Sequence, residues 1–286
     1  MNYEYTYRIC GLTIQIHTPM EIWTDEVAER FAAPGVPDPD ISIHLTPVEE
    51  IPTPDDAPKG RSRERAVWLQ GDTVTRCCQD IFRPQLHFRA DYHLPRPSRV
   101  DCLVREADWR WATRSQFLWP QIMLNHLLLH RRGLVFHASY IETRGGAILF
   151  TAPSQTGKST QAELWRVHRG AEILNGDKAA VMLDGAVPMA HGVPFCGTSG
   201  ICVDRSLPLG AVVVLSQGRD NTVTPLPPSR AVQALCPNVF TDSHVPQEWQ
   251  LTLTNLLDLC AGVPVLHLSC TPDERAVEAL ERALGW

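Results

Sequence analysis

The chain has 286 residues, long for one compact domain and comfortable for two. Hydrophobic residues make up 44% and charged residues 20%, a globular balance, and the net charge of −6 argues against a dominant nucleic-acid role. No apolar run reaches the ~18 residues of a membrane span, and "MNYEYTYRICGL" lacks a basic start followed by an apolar core, so cytoplasm without a secretory signal is the expected compartment.

In chain order, "YEYTYRICGLTIQIHT" alternates apolar and polar residues. Tyr3, Tyr5 and Tyr7 share one face, Leu12, Ile14 and Ile16 fall on a second strand, and Cys10–Gly11 is the turn of an antiparallel hairpin. Residues 33–64 are loop-rich, because the prolines of "APGVPDPD" and "IPTPDDAPKGRSRER" exclude long elements; "ISIHL" between them is a short strand. "AVWLQGDTVTRC" predicts a hairpin through Gly71–Asp72, and "QLHFRADYHL" and "RVDCLVRE" two more strands. Residues 1–112 are therefore expected to form a mainly β domain, with 113–286 a second domain.

"SQFLWPQIMLNHLLLHRRG" predicts one helix leading into that second domain: Leu124, Leu127 and Leu128 recur at helical spacing, Pro120 lies near its start and Gly133 ends it. "GLVFHASYIETRGGAILFTA" reads as strand, turn, strand, and "KSTQAELWRVHRG" as a helix. "AEILNGDKAAVMLDGAVPMAHG" is a set of short strands broken at Asn175–Gly176 and Asp184–Gly185, and "GAVVVLSQ" a buried strand. "SRAVQALC" and "PQEWQLTLTNLLDLCAG" are helices and "VPVLHLSC" a strand. The closing helix is expected to be capped by Thr271, with Pro272 at its first position and Glu274 completing a capping box.

The nine cysteines, Cys10, Cys77, Cys78, Cys102, Cys196, Cys202, Cys236, Cys260 and Cys270, form no C-x-x-C pair. They read as buried thiols in a reducing compartment rather than as a zinc site.

The chemistry concentrates in "AILFTAPSQTGKSTQAELW". A phosphate-binding loop has the pattern G-x-x-x-x-G-K-[ST]; here Ala152 replaces the first glycine, and Gly157, Lys158 and Ser159 complete the rest. The context fits: an apolar strand leads in and a helix leads out, offering N–H groups and a positive dipole end to an anion. Ser154, Gln155, Thr156, Gly157, Lys158, Ser159 and Thr160 are the expected phosphate-binding set, with Lys158 on the terminal phosphates and the Ser159 hydroxyl on magnesium. Asp177 is the expected second metal ligand, and Lys178 either touches the γ-phosphate or is solvated. His137 in "FHAS" precedes the loop strand and is either a catalytic or a structural histidine. "HGVPFCGTSG", residues 191–200, is either an acceptor-side loop or a plain connection. Arg205 and Arg219 read as solvated, and Trp111, Trp119 and Trp165 as core.

The ordered set "FHAS", "AILFTAPSQTGKSTQAELW", "GAEILNGDK", "GVPFCGTSG" and "VPVLHLSCTPDERAVEAL", about residues 130–286, resembles the HPr kinase/phosphorylase and phosphoenolpyruvate-carboxykinase-like superfamily. The resemblance implies a fold of the α/β class (α+β overall) with a C-terminal mixed sheet, ATP or another nucleoside triphosphate with Mg2+, and phosphoryl transfer to a hydroxyl on a peptide, protein or small molecule. It raises the expectation of a homo-oligomer, and the β-rich front domain is similar to those accompanying such cores in bacterial proteins. Residue by residue it matches Lys158, Ser159 and His137, but its paired aspartates fall on Gly176 and Asp177. With one carboxylate, either Asp177 and His137 divide metal and base duties in a kinase, or the chain is a nucleotide-binding module holding a partner. A nucleotide hydrolase is a third reading. Neither nucleic acid nor membrane is expected as a partner.

Overall fold

The computed structural model describes residues 2–79, 85–197 and 199–286. The chain divides into two compact units, Met1–His130 with Asp242–Trp249, and Arg131–Thr241 with Gln250–Trp286.

The first unit contains β1 (Tyr3–Ile9), β2 (Leu12–Thr18), α1 (Glu26–Phe31), β3 (Ile41–Val48), β4 (Gly60–Arg61), β5 (Arg65–Gln70), β6 (Thr73–Gln79), β7 (Leu86–His93), β8 (Arg99–Arg105), α2 (Trp109–Ala112), α3 (Ser115–Gln121) and α4 (Leu124–Leu129). Its strands form one mixed sheet in the order β1-β2-β3-β8-β7-β6-β5-β4, parallel only where β3 meets β2 and β8. The expected hairpins are present, turning at Cys10–Gly11 and Gly71–Asp72. Alternation places Ile14, Ile16, Ile41, Ile43, Phe88 and Val100 in the core. Helix α1 was not read from the sequence; Asp25 caps it, accepting from Ala28 N at 2.9 Å, and the same carboxylate accepts from the Ser115 hydroxyl at 2.7 Å.

The helix expected over 115–133 is two helices, because the chain turns at Met123, which is left-handed (φ 62°). Ile122, Met123 and Leu124 are all fully buried. Three consecutive residues cannot share one face of a continuous helix; the turn buries all three. The boundary expected at residue 112 falls inside this unit, where the Trp119 ring meets Tyr7 edge-on at 5.0 Å.

Asp242–Trp249 supplies the unit with a buried carboxylate. Glu248 accepts from Tyr92 OH at 2.6 Å and Arg76 at 2.5 Å, and lies 2.8 Å from His126 Nδ1. Burial alone would raise its pKa, but His126, His130 and Arg76 hold it far below the carboxylate range.

The second unit contains β9 (Gly133–Thr143), β10 (Gly146–Thr151), α5 (Lys158–Arg169), β11 (Glu172–Asn175), β12 (Lys178–Met182), β13 (Met189–His191), β14 (Ser206–Gln217), β15 (Thr222–Pro225), α6 (Pro228–Leu235), α7 (Pro246–Gly262, its first turn counted with the first unit), β16 (Val265–Cys270) and α8 (Glu274–Leu284). The mixed sheet runs β10-β9-β12-β13-β14-β16-β15, with β11 on β9 and β10 also paired with β14. The long strands β9 and β14 make this possible, since different stretches of each pair different neighbours. Strands β10, β14 and β16 are parallel. Phe150, Val213 and Leu268 pack with Trp165 of α5 and Leu280 of α8. Strand β15 was not read from the sequence. Helix α8 is capped by Asp273, not Thr271: Asp273 accepts from Arg275 N at 3.0 Å, and the Thr271 hydroxyl donates to Asp273 instead. Aspartate is as good a cap and starts the helix later.

None of the nine cysteines forms a disulfide. Among the described residues no helix is long and apolar enough to cross a membrane.

Glu248→Ala removes a central partner of buried Arg76, His126 and Tyr92. Urea unfolding is expected to show a loss of about 3 kcal/mol; a stability equal to wild type contradicts this account of the first unit.

Candidate phosphate-binding site

Strand β10 ends at Thr151 and the chain enters the loop at Ala152. Ala152 is fully buried within the core and keeps a negative φ, so glycine is not required there. Positive φ occurs later, at Gln155 (64°) and Gly157 (120°), and these two reversals curl the backbone ahead of α5. A Cβ at Gly157 would meet nothing within 4 Å, so backbone conformation, not crowding, favours glycine. No side chain caps α5, leaving its first-turn N–H groups to an external acceptor. Lys158 is 8% exposed and bends back over the loop, its Nζ donating to Ala152 O at 3.0 Å and Pro153 O at 3.4 Å. Burial draws its pKa below the ordinary lysine value, and the Asp177 charge opposes this. Ser154, Gln155, Ser159 and Thr160 are exposed, and Thr156 is half-buried.

Asp177 sits in a turn that Asn175 fixes. The buried Asn175 Oδ1 accepts from the amides of Asp177 (3.0 Å) and Lys178 (2.9 Å), an Asx turn. Strand β12 then pairs antiparallel with β9, with Lys178 opposite His137. That register puts His137 Nε2 3.1 Å from Asp177 Oδ1, while the Lys178 ammonium pairs with Oδ2. The His137 hydrogen bond, aided by Lys178 and opposed by burial, holds the Asp177 carboxyl well below its usual range, so it stays ionised. The Thr151 hydroxyl donates to His137 O at 3.0 Å, tying the histidine to the end of the loop strand. Lys178 Nζ lies 5.8 Å from the Phe195 ring centroid and 5.4 Å from that of Phe240, within cation–π range. His137, Asp177 and Lys178 are therefore one cluster, and its field reaches Lys158.

From the segment 191–200, Gly197 and Ser199 lie beside this cluster. A Cβ on Gly197 would meet Asp177 Cγ at 2.8 Å, and one on Gly176 would meet Ser199 Oγ at 2.3 Å. The space a side chain at 176 would need is thus filled by Ser199. Thr198 of the same segment lies outside the described residues. Elsewhere, Arg205 pairs with Glu142 and Glu172, and Trp119 and Trp165 are buried in the core.

A pocket of about 450 Å3 adjoins the loop, lined by Gln155, Thr156 and Gly157 and by Gln161, Gln217, Cys270 and Thr271. Sequence reasoning missed the last four. Gln161 carried a weak signal, lying three residues beyond Lys158 on the same helical face.

The sequence model of one protein family, described as "SynChlorMet cassette protein ScmC", matches residues 106–285, more than half of the chain. No curated protein gives a significant match. Among solved structures, the Hpr(Ser) kinase/phosphatase from Coxiella burnetii is similar at 11% sequence identity and a TM-score of 0.31, covering 52% of this chain and 94% of that one.

Gly176→Asp is expected to lower stability by up to about 1 kcal/mol in thermal unfolding, because the exposed Ser199 must move aside, and Ser199→Gly in the same chain to restore most of it. A Gly176→Asp protein as stable as wild type contradicts the packing described here.

Proposed function

We propose that this chain, which belongs to the SynChlorMet cassette protein ScmC family, is an ATP- and magnesium-dependent phosphotransferase acting on a hydroxyl of a peptide, protein or small molecule. The observation that carries the reading is the uncapped α5 N-terminus with Lys158 folded over its loop, near Asp177, whose ionised form the His137 hydrogen bond and Lys178 favour. Phosphoryl transfer rests on positioning and charge neutralisation, and the chain supplies both. The amides of residues 155–159 bind the triphosphate, and Lys158 exchanges its loop carbonyls for phosphate oxygens. The residues fit a magnesium ion: the exposed Ser159 hydroxyl and the Asp177 carboxylate are hard oxygen donors, and each Asp177 oxygen keeps lone-pair capacity beyond its present partner. When bound, magnesium neutralises charge on the phosphates.

The proton of the acceptor hydroxyl goes to His137. Asp177 is a poor base because its charged form is held so strongly. It is instead suited to accept the Nε2 hydrogen of His137, leaving Nδ1 as the basic nitrogen. The acceptor oxygen forms the new P–O bond as the bond to the leaving diphosphate breaks. Lys178, paired with Asp177, balances the local charge. One observation favours a second reading, a nucleotide-binding module without turnover: Ser199 fills the space beside Gly176, where a second carboxylate would stand.

Calorimetry with magnesium and ATP tests the proposal, with the sample assayed for ADP afterwards. Lys158→Ala is expected to weaken binding about tenfold to a hundredfold, the worth of charge-assisted hydrogen bonds; unchanged affinity would sink the proposal. ADP formation that accelerates with a hydroxyl acceptor and falls about a hundredfold in His137→Gln supports transfer. Binding without ADP supports the module, and ADP formation indifferent to acceptors supports a hydrolase.

A further inference from the structure

One residue lining the pocket beside the loop carries a buried amide oxygen with no hydrogen-bond partner among the described residues. Gln161 lies on the inner face of α5, one turn beyond Lys158, and is 2% exposed. Its Nε2 donates to Cys270 Sγ at 3.2 Å. The Cys270 thiol turns its own hydrogen toward Ser216 O at 3.9 Å, so the sulfur is left to accept. In this arrangement the amide nitrogen faces the sulfur and Oε1 lies on the other side. Among the described residues, Gln161 Oε1 has no hydrogen-bond partner. A buried amide oxygen left unmatched costs free energy unless a ligand matches it.

The pocket, about 450 Å3, is the size of a small-molecule site. It shares Gln155, Thr156 and Gly157 with the loop, so it adjoins the place where that loop would hold phosphates. Its other walls combine apolar Leu215 and Pro272 with the polar ends of β14 and β16. A nucleoside has the matching chemistry: an apolar ring face, and donors on the ribose hydroxyls and the base.

We infer that this pocket takes the nucleoside of a nucleoside triphosphate, and that Gln161 Oε1 accepts a hydrogen bond from a ribose hydroxyl or a base amino group. The inference rests on the phosphotransferase reading of the loop. Gln161 is then a specificity residue, and Cys270 positions its amide. Burial raises the Cys270 pKa and keeps the thiol protonated, as that role requires.

The test compares ATP with inorganic tripolyphosphate, which offers the loop its phosphates and the pocket nothing. Both are titrated with magnesium into wild type and Gln161→Leu, with thermal unfolding to verify the fold. ATP affinity is expected to fall about tenfold in the variant, with tripolyphosphate affinity unchanged. In wild type, either 2′-deoxyATP or inosine triphosphate is expected to bind as weakly as ATP binds Gln161→Leu, identifying ribose or base as the donor. Equal ATP affinity in wild type and variant overturns the inference and leaves the loop reading standing, as does equal weakening of both ligands. Failure of both ligands to bind wild type overturns the loop reading and the inference with it. Should Gln161→Leu not fold, alkylation of wild type decides. At alkaline pH, where part of each thiol ionises, ATP but not tripolyphosphate is expected to slow iodoacetamide labelling of Cys270 several-fold relative to Cys260, and labelling indifferent to bound ATP overturns the inference.

Discussion

The second unit depends on the parallel pairing of β10, β14 and β16. Parallel strands point their carboxyl ends the same way, and the crevice beyond those ends is where open α/β sheets hold ligands. Here β10 delivers the loop from Ala152 onward, β14 delivers Gln217, and β16 delivers Cys270 and Thr271, all lining one pocket. The antiparallel strand β9 brings His137 back beside the loop strand, opposite Lys178. The hydrophobic interior explains why this arrangement holds. Phe150, Val213 and Leu266, neighbours across the three strands, belong to one buried cluster with Trp165 and Leu280, so the strands cannot slip register without moving buried side chains.

Charge at the site is economical. One carboxylate, Asp177, serves His137 through one oxygen and Lys178 through the other. Its strongly favoured ionised form makes it a steady anion and a weak base, which shifts any proton-accepting role to the histidine. Gly197 and Ser199 lie close to the turn at Asp177: a Cβ at 197 would strike the Asp177 carboxylate, and one at 176 would strike Ser199. The glycine at 176 therefore has a packing reason of its own, apart from the question of a lost second acid.

Local chemistry made much of the chain legible. The hairpin turns at Cys10–Gly11 and Gly71–Asp72, the strand–loop–helix around Lys158, and the breaks at Asn175–Gly176 and Asp184–Gly185 follow from turn and periodicity rules acting on adjacent residues. What the sequence withheld depends on register between distant segments. The His137–Asp177 contact needs the β9–β12 pairing across 40 residues, and the Gln161–Cys270 contact spans 109. The break at Met123 was hidden because a leucine-rich stretch reads as one helix until tertiary burial demands that consecutive residues all turn inward. At the start of α8, Thr271 and Asp273 are both good caps, and the hydroxyl of one donates to the carboxylate of the other.

The most direct test of the account is a crystal structure of the chain with magnesium and a non-hydrolysable ATP analogue. The account predicts phosphate oxygens within hydrogen-bond distance of the amides of residues 155–159, with Lys158 Nζ moved from the Ala152 and Pro153 carbonyls onto them. A triphosphate bound away from this loop, with Lys158 still on those carbonyls, would contradict it.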